Sequence, residues 1–438
     1  MEKKNVAVIG AGPMGLSAAY YLGRSGKFRC TVFESAKSIG GMSASFDFDG
    51  VRIEKYYHFI NTPDQVLFGM LREIGLYDTL RWTPTKMGFF RWNEKLGHGV
   101  LHPWGTPKAL LQLNEIPLIT RFRYGFHAFC CKFLKDLGPL DQEAASAWFE
   151  KWEGKKGYEV FWKFLFEKKF FELADPLSAA WIASRIRRVA NSRKSLAQEE
   201  YGYLEGGSES LVNALAAKIK EQGGEIRLSD GAKKITPLPE GGAEVETVSG
   251  KGRYDLVIST IPLPYLPKIA PELPADYLSR VSQVQNIGCA CALYRLQKPL
   301  TENFWLNTDM PEWDIPGIIE YSNLRQNMGK SYVYIPFYMP KTHPNWKASD
   351  EELLEKGRKC LAEVNPEAAA TEERAVMFRY DYAQPVCQPG FMKILPRYFT
   401  GAKGIWAADT AHSFPEDRSL NESIRIAGEI ASEIEAQF

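Results

Sequence analysis

The chain opens on an apolar run, Val6-Ala7-Val8-Ile9, that reads as a strand buried on both faces, as in a parallel sheet. It breaks at Gly10, and the helical run Leu16–Leu22 follows, then a second strand at Arg29–Phe33. Asp49-Gly50, between two alternating runs, predicts a hairpin turn. From Pro63 to about Arg193 the pattern is mainly helical. Apolar residues in Pro63–Ile74 and Leu118–Leu137 recur every three or four positions, and Pro84, Pro103 and Pro107 break the part between into short strands and loops. Ser210–Glu221 predicts an amphipathic helix closed by Gly223-Gly224. Short strands are expected at Glu225–Leu228, Ala232–Pro237, Glu244–Thr247 and Arg253–Ser259. Two β-rich runs, Gly288–Arg295 and Ser331–Met339, precede the helix Asp350–Val364. The end of the chain reads as a buried strand Gly404–Asp409, a loop Thr410–Leu420 and an amphipathic helix Asn421–Ala436.

The junction of first strand and first helix carries chemistry. Gly10, Gly12 and Gly15 have the G-x-G-x-x-G spacing: one glycine for the tight turn, one for close approach of a diphosphate, one for packing helix on sheet. The helix start presents free N–H groups from Met14 onward, Pro13 itself having none, and partial positive charge. Glu34 ends the second strand about 20 residues on, where a dinucleotide site places the acid that grips a ribose. The expected fold is α/β: a discontinuous Rossmann-type domain built from residues 1–62, 205–275 and 398–438. A substrate domain is inserted in two parts. One is helical, aromatic and basic (63–204); the other is β-rich (276–397).

Composition narrows the class without choosing the chemistry. The 438 residues are 45% hydrophobic and 24% charged with a net charge of +1, which suits a globular protein and gives no global field for nucleic acid. Seven scattered cysteines include no C-x-x-C pair, so no metal site is expected and free thiols in a reducing compartment are. The N-terminus lacks a secretory pattern and no apolar run reaches the ~18–20 residues of a membrane span, so a cytoplasmic protein is expected.

Four separated motifs resemble those of the flavin amine oxidase superfamily, with the protoporphyrinogen-oxidase-like proteins nearest. They are Gly10–Gly15 with Glu34; Gly40-Gly41; Gly206-Gly207-Ser208 with Asp255–Pro262; and Gly404–Asp409 with Arg418-Ser419-Leu420-Asn421. The resemblance implies FAD. It implies that Gly40, Gly41, Met42 and Ser43 approach the diphosphate and that Ser35, Ala232, Thr260 and Pro262 lie at the adenosine side. Asp409, Ser419, Leu420 and Asn421 would flank the ribityl and pyrimidine parts. Tyr57 and His58 would stand beside the isoalloxazine, where relatives carry a smaller dipeptide before the histidine. His58 is a candidate proton carrier, since histidine titrates near neutrality. Lys393, in Gly390–Ile394, is the candidate for the lysine that amine oxidases hold over the flavin.

The implied activity is hydride transfer between flavin N5 and a mostly apolar amine, isoprenoid, lipid or porphyrinogen-like substrate. Two alternatives stand beside it. One is a non-redox isomerase resembling UDP-galactopyranose mutase, using Arg185, Arg187 and Arg188 on a diphosphate. The other is a flavin-binding protein without turnover. The run 118–193 is rich in Phe, Trp, Lys and Arg, either as core with a solvated face or as a peripheral contact with the inner face of the membrane.

Overall fold

Lys4–Ile9 is the middle strand of a five-stranded parallel sheet ordered Glu225–Arg227, Phe28–Phe33, Lys4–Ile9, Leu256–Ser259, Ile405–Ala407. The computed structural model describes residues 2–114, 116–195 and 198–438. Val6 and Val8 enter one core with the helices Pro13–Arg24, Ser208–Glu221 and Leu420–Glu435, while Ala7 and Ile9 enter another on the opposite face. That alternation is the period of a strand, and burial on both faces explains the unbroken apolar run. The second face is covered by an antiparallel sheet of Ala232–Pro237, Ala243–Thr247 and Lys251–Tyr254.

The expected strand Arg253–Ser259 is two strands. Lys251–Tyr254 belongs to the antiparallel cover and Leu256–Ser259 to the parallel sheet. The chain turns at Asp255, whose N–H donates to the Asn5 carbonyl at 2.9 Å while its carboxylate accepts from the Asn5 N–H at 2.8 Å. Local pattern shows one apolar run; the change of sheet depends on a partner 250 residues away.

A seven-stranded sheet is ordered Glu372–Pro385, Asn286–Leu296, Ser331–Met339, Gly317–Glu320, Trp305–Asp309, Met87–Asn93, His98–Trp104. Its last two strands come from the part between the two helical stretches, where Pro84, Pro103 and Pro107 are expected to leave short strands and loops. Met87–Asn93 pairs in parallel with Trp305–Asp309, so both insertions contribute to one sheet. The helical part holds Leu118–Cys131, Ala145–Glu153, Phe164–Phe170 and Ala179–Asn191, the first of these ending six residues before the expected Leu137. Trp148, Phe149, Phe166, Phe170 and Trp181 are core. A buried Glu153 joins these helices: one oxygen lies 2.8 Å from His127 Nδ1, and the other accepts from Trp162 Nε1 at 2.9 Å. Phe122, Phe126, Phe129 and Phe133 are instead exposed.

The hairpin Ser45–Phe48/Val51–Glu54 lies between the seven-stranded sheet and the start of helix Ser208–Glu221, whose Ser208 N–H donates to Glu54 at 2.8 Å. Arg295 reaches Asp49 at 2.9 Å, Arg374 also pairs with Asp49, and the Tyr334 hydroxyl donates to the Glu54 carbonyl.

Candidate active site

The glycine loop sits at the carboxyl end of the first strand, beside Leu256–Ser259, where strand order reverses and open α/β sheets leave a crevice. Gly10 has φ +102° and its N–H donates to the Phe33 carbonyl at 2.8 Å, which few residues other than glycine could do. A Cβ on Gly15 would lie 2.0 Å from the Gly10 carbonyl oxygen, so this glycine serves helix packing. A Cβ on Gly12 would meet only Gly41 Cα, at 4.0 Å, so this glycine leaves open space. Gly40, with φ +117°, donates to the Ala11 carbonyl at 2.8 Å and stitches the second glycine turn to the first. No side chain caps the helix Pro13–Arg24.

Glu34 is held by backbone amides: Ala11 N–H donates to one oxygen and Ala36 N–H to the other, each at 2.8 Å. A carboxylate retains lone pairs beyond two such bonds and can accept from a ribose diol. An uncapped helix start, two facing glycines and a positioned carboxylate therefore fit a dinucleotide.

A cavity of about 1220 Å³ runs from this loop into the space beneath the seven-stranded sheet. Its wall includes Gly10, Gly12, Pro13, Met14, Glu34, Ser35, Gly41, Met42, Ser43, Tyr57, His58, Ala232, Thr260, Pro262, Asp409, Ser419 and Leu420. Of the remaining expected residues, Gly15 and Gly40 act behind the wall, as the packing shows. Asn421 is turned away: its Oδ1 accepts from the Leu67 N–H at 3.1 Å. Lys393 is not brought to the site. It is exposed on the short helix Phe391–Ile394 and its Nζ reaches Gln142 at 3.4 Å. Gly206, Gly207 and Ser208 lie outside the wall, and the third motif has another use. The buried Glu54 accepts from the Ser208 N–H at 2.8 Å, and a Cβ on Gly207 would sit 2.7 Å from that carboxylate. Asp409 lines the cavity, but its oxygens accept from the Leu263 and Ala411 N–H groups at 2.8 Å.

His58 Nδ1 lies 2.8 Å from the Tyr56 carbonyl, which can only accept, so the neutral ring carries its proton on Nδ1 and keeps Nε2 basic. Burial lowers its pKa, against the opposing charge of Glu54. Tyr57 packs its ring on Trp305 at 5.6 Å and Tyr334 at 5.8 Å.

The sequence reading named Arg418 within the fourth motif and Arg185 as a candidate for a diphosphate, but did not single out Lys169, Gln384 or Asp417 at the inner end. Lys169 is buried among Phe170, Trp181 and Tyr338, with its Nζ 4.9 Å from the Tyr338 ring centre and 3.0 Å from Gln384 Oε1. Burial and the charge of Arg185 push its pKa well below the lysine range. Arg418 donates to the Tyr338 hydroxyl at 2.9 Å and also binds Gln384. Burial raises Asp417, but Arg418, Arg185 and Lys169 outweigh it and hold the carboxyl well below the usual range. One signal was legible: Lys169 falls three residues after Phe166 on a helix whose buried face is phenylalanine.

A glycine-loop cavity at the switch point of a parallel sheet, walled by a second mixed sheet, defines a dinucleotide-binding α/β fold with an added substrate domain. The sequence matches the flavin containing amine oxidoreductases over residues 15–387, and the chain belongs to that family. Among solved structures it is similar to a provisionally named protoporphyrinogen oxidase from Exiguobacterium sp. 255-15 (18% identity, TM-score 0.76, 100% of both chains covered). It is also similar to cyclohexylamine oxidase from Brevibacterium oxydans IH-35A (14% identity, TM-score 0.73, covering 100% of this chain and 99% of that one). A putrescine oxidase with putrescine bound gives 16% identity and a TM-score of 0.71 over 99% of each chain. At these identities the likeness is one of fold. No curated protein matches the sequence.

Proposed function

We propose that the protein is an FAD-dependent oxidoreductase acting on a carbon centre of a largely apolar substrate, with an amine as the leading class. The observation that carries this reading is the single cavity joining the glycine loop to the aromatic pocket around Lys169. When bound, the flavin supplies a two-electron acceptor for hydride from carbon. Gly12, Gly41 and the start of helix Pro13–Arg24 would hold the diphosphate, and Glu34 the adenosine ribose. Ser35 and Ala232 would flank the adenine. Ser419 and Leu420, at the head of the C-terminal helix, would set the pyrimidine edge, with Thr260, Pro262 and Asp409 closing the middle. In the same reading, residues 1–62, 205–275 and 398–438 serve the cofactor, and 63–204 with 276–397 serve the substrate.

An ammonium substrate must lose a proton before its carbon can release hydride. Lys169, kept toward the neutral amine by burial, would take that proton, and His58 Nε2 would be a second acceptor on the path. The surrounding aromatic rings would exclude water. The arginines that a mutase-like isomerase would turn on a diphosphate already have acidic partners here. Arg185 pairs with Asp417 at 3.4 Å, Arg188 with Asp64 at 2.9 Å, and Arg187 with Glu416. The redox reading is therefore favoured.

The test is an anaerobic screen that follows flavin absorbance of the purified protein with amines, polyprenols, porphyrinogens and nucleotide sugars. Bleaching by an amine or another apolar donor is expected. Flavin that dithionite reduces but no donor does would mean binding without turnover.

A further inference from the structure

The helix Leu118–Cys131 is apolar on two sides. Thr120, His127 and Cys131 are buried against the helical core, with the tilted rings of Tyr124 and Phe161 4.4 Å apart between centres. The opposite side carries Leu118, Phe122, Phe126 and Phe129, a stripe at four- and three-residue spacing that Phe133 and the neighbouring Leu111 extend. Each of these six is between 53% and 69% exposed. Arg121 and Arg123 flank the two apolar sides, and contiguous exposed apolar surface of this kind marks an interaction site.

Two further observations name the occupant. Residues 107–135 carry Lys108, Arg121, Arg123, Lys132 and Lys135 against the single acid Glu115, a net +4 (5 − 1) in a chain whose total is +1. Such a surface complements anionic headgroups, whereas pairing two copies about a two-fold axis would set like charges together. The cavity also comes out at this face. Phe129 is 55% exposed and lines the cavity, as does its exposed neighbour Lys132.

We propose that this helix docks the protein on an anionic lipid bilayer and seats the cavity mouth at the membrane, so that a lipid-phase substrate enters without crossing water. Docking follows from the surface alone; the entry of a substrate rests on the oxidoreductase reading. Among the described residues no helix is long and apolar enough to cross a membrane, so the contact would be peripheral, a few ångströms deep.

The full chain is sedimented with vesicles of phosphatidylglycerol and phosphatidylcholine, or phosphatidylcholine alone, at low and high salt. Wild type should pellet with the anionic vesicles, at least tenfold less at high salt. The double variant Phe122→Glu/Phe126→Glu lies outside the cavity wall and should stay in the supernatant with unchanged flavin absorbance and melting. A second variant, Lys132→Glu/Lys135→Glu, should weaken binding while keeping the stripe. No pelleting at low salt would overturn the proposal. So would a wild-type dimer in light scattering that the phenylalanine variant splits, since the stripe would then face a second copy. Vesicle binding reads no flavin chemistry, so a protein that binds vesicles and reduces no flavin would support docking and overturn the oxidoreductase reading.

Discussion

Glu199 and Lys169 are both cavity residues held in the less usual charge state by burial, and each makes stability depend on pH in a known direction. Burial raises Glu199 to about 7, although Arg193 sits 2.6 Å away. The native state then keeps a proton that the unfolded chain releases, so stability falls as pH rises from about 4.5 through 7. The upper bound is about 3 kcal/mol, from 1.36 kcal/mol per pKa unit. In Glu199→Gln that slope should vanish, which urea midpoints at pH 5 and 8 would read; an unchanged slope means the carboxylate meets water. Lys169 has the opposite sign. Its native pKa lies well below 10.5, so the unfolded chain binds the extra proton and stability rises with pH up to that value. Lys169→Met should remove this alkaline rise relative to wild type. In stopped-flow traces with an amine donor, the same variant should reduce flavin at least tenfold more slowly, about 1.4 kcal/mol in the barrier. A rate equal to wild type would take Lys169 out of the proton path.

At the scale of elements, the strand–loop–helix at the N-terminus separates packing from ligand binding. Gly15→Ala drives a methyl into the Gly10 carbonyl at 2.0 Å and should lower the stability of the protein by about 2 kcal/mol even without flavin. Gly12→Ala has φ −76° and open space, so the apoprotein should melt as wild type does while flavin affinity drops at least tenfold. Calorimetry of both apoproteins, with flavin titrations, distinguishes them; equal melting losses would make Gly12 a packing residue. This unit was legible in the sequence because its parts lie within 34 residues and each has a local reason. The inner pocket was not. Lys169 meets Gln384 across 215 positions, and Tyr334 meets Glu54 across 280, pairings that no local period records. For the same reason Gly206-Gly207-Ser208 resembled a cofactor motif, when Gly207 makes room for the buried Glu54 and Ser208 N–H donates to it. The aromatic helix was legible as a helix, but a pattern with apolar residues on two opposite sides does not say which side meets a neighbour.

At the scale of the molecule, the cavity is bordered by both large sheets, and the hairpin 45–54 bonds the seven-stranded sheet to the start of helix Ser208–Glu221. A ligand that fills it contacts both sheets only when they are folded, so its binding energy adds to the stability of the whole. At a free concentration 100 times its dissociation constant the gain is about 2.7 kcal/mol. Unfolding entropy near 2.1 cal/mol/K per residue makes roughly 0.9 kcal/mol/K for this length, so the melting point should rise by about 3 °C. The dinucleotide should do this and the mononucleotide flavin should do less, because the glycine loop and Glu34 recognise the diphosphate and the second ribose. In Gly12→Asp, with a carboxylate set against that diphosphate, the added flavin should shift nothing. An equal shift by the two flavins, or a shift that survives Gly12→Asp, would mean that the ligand holds to the aromatic pocket and that the glycine loop does not bear on it.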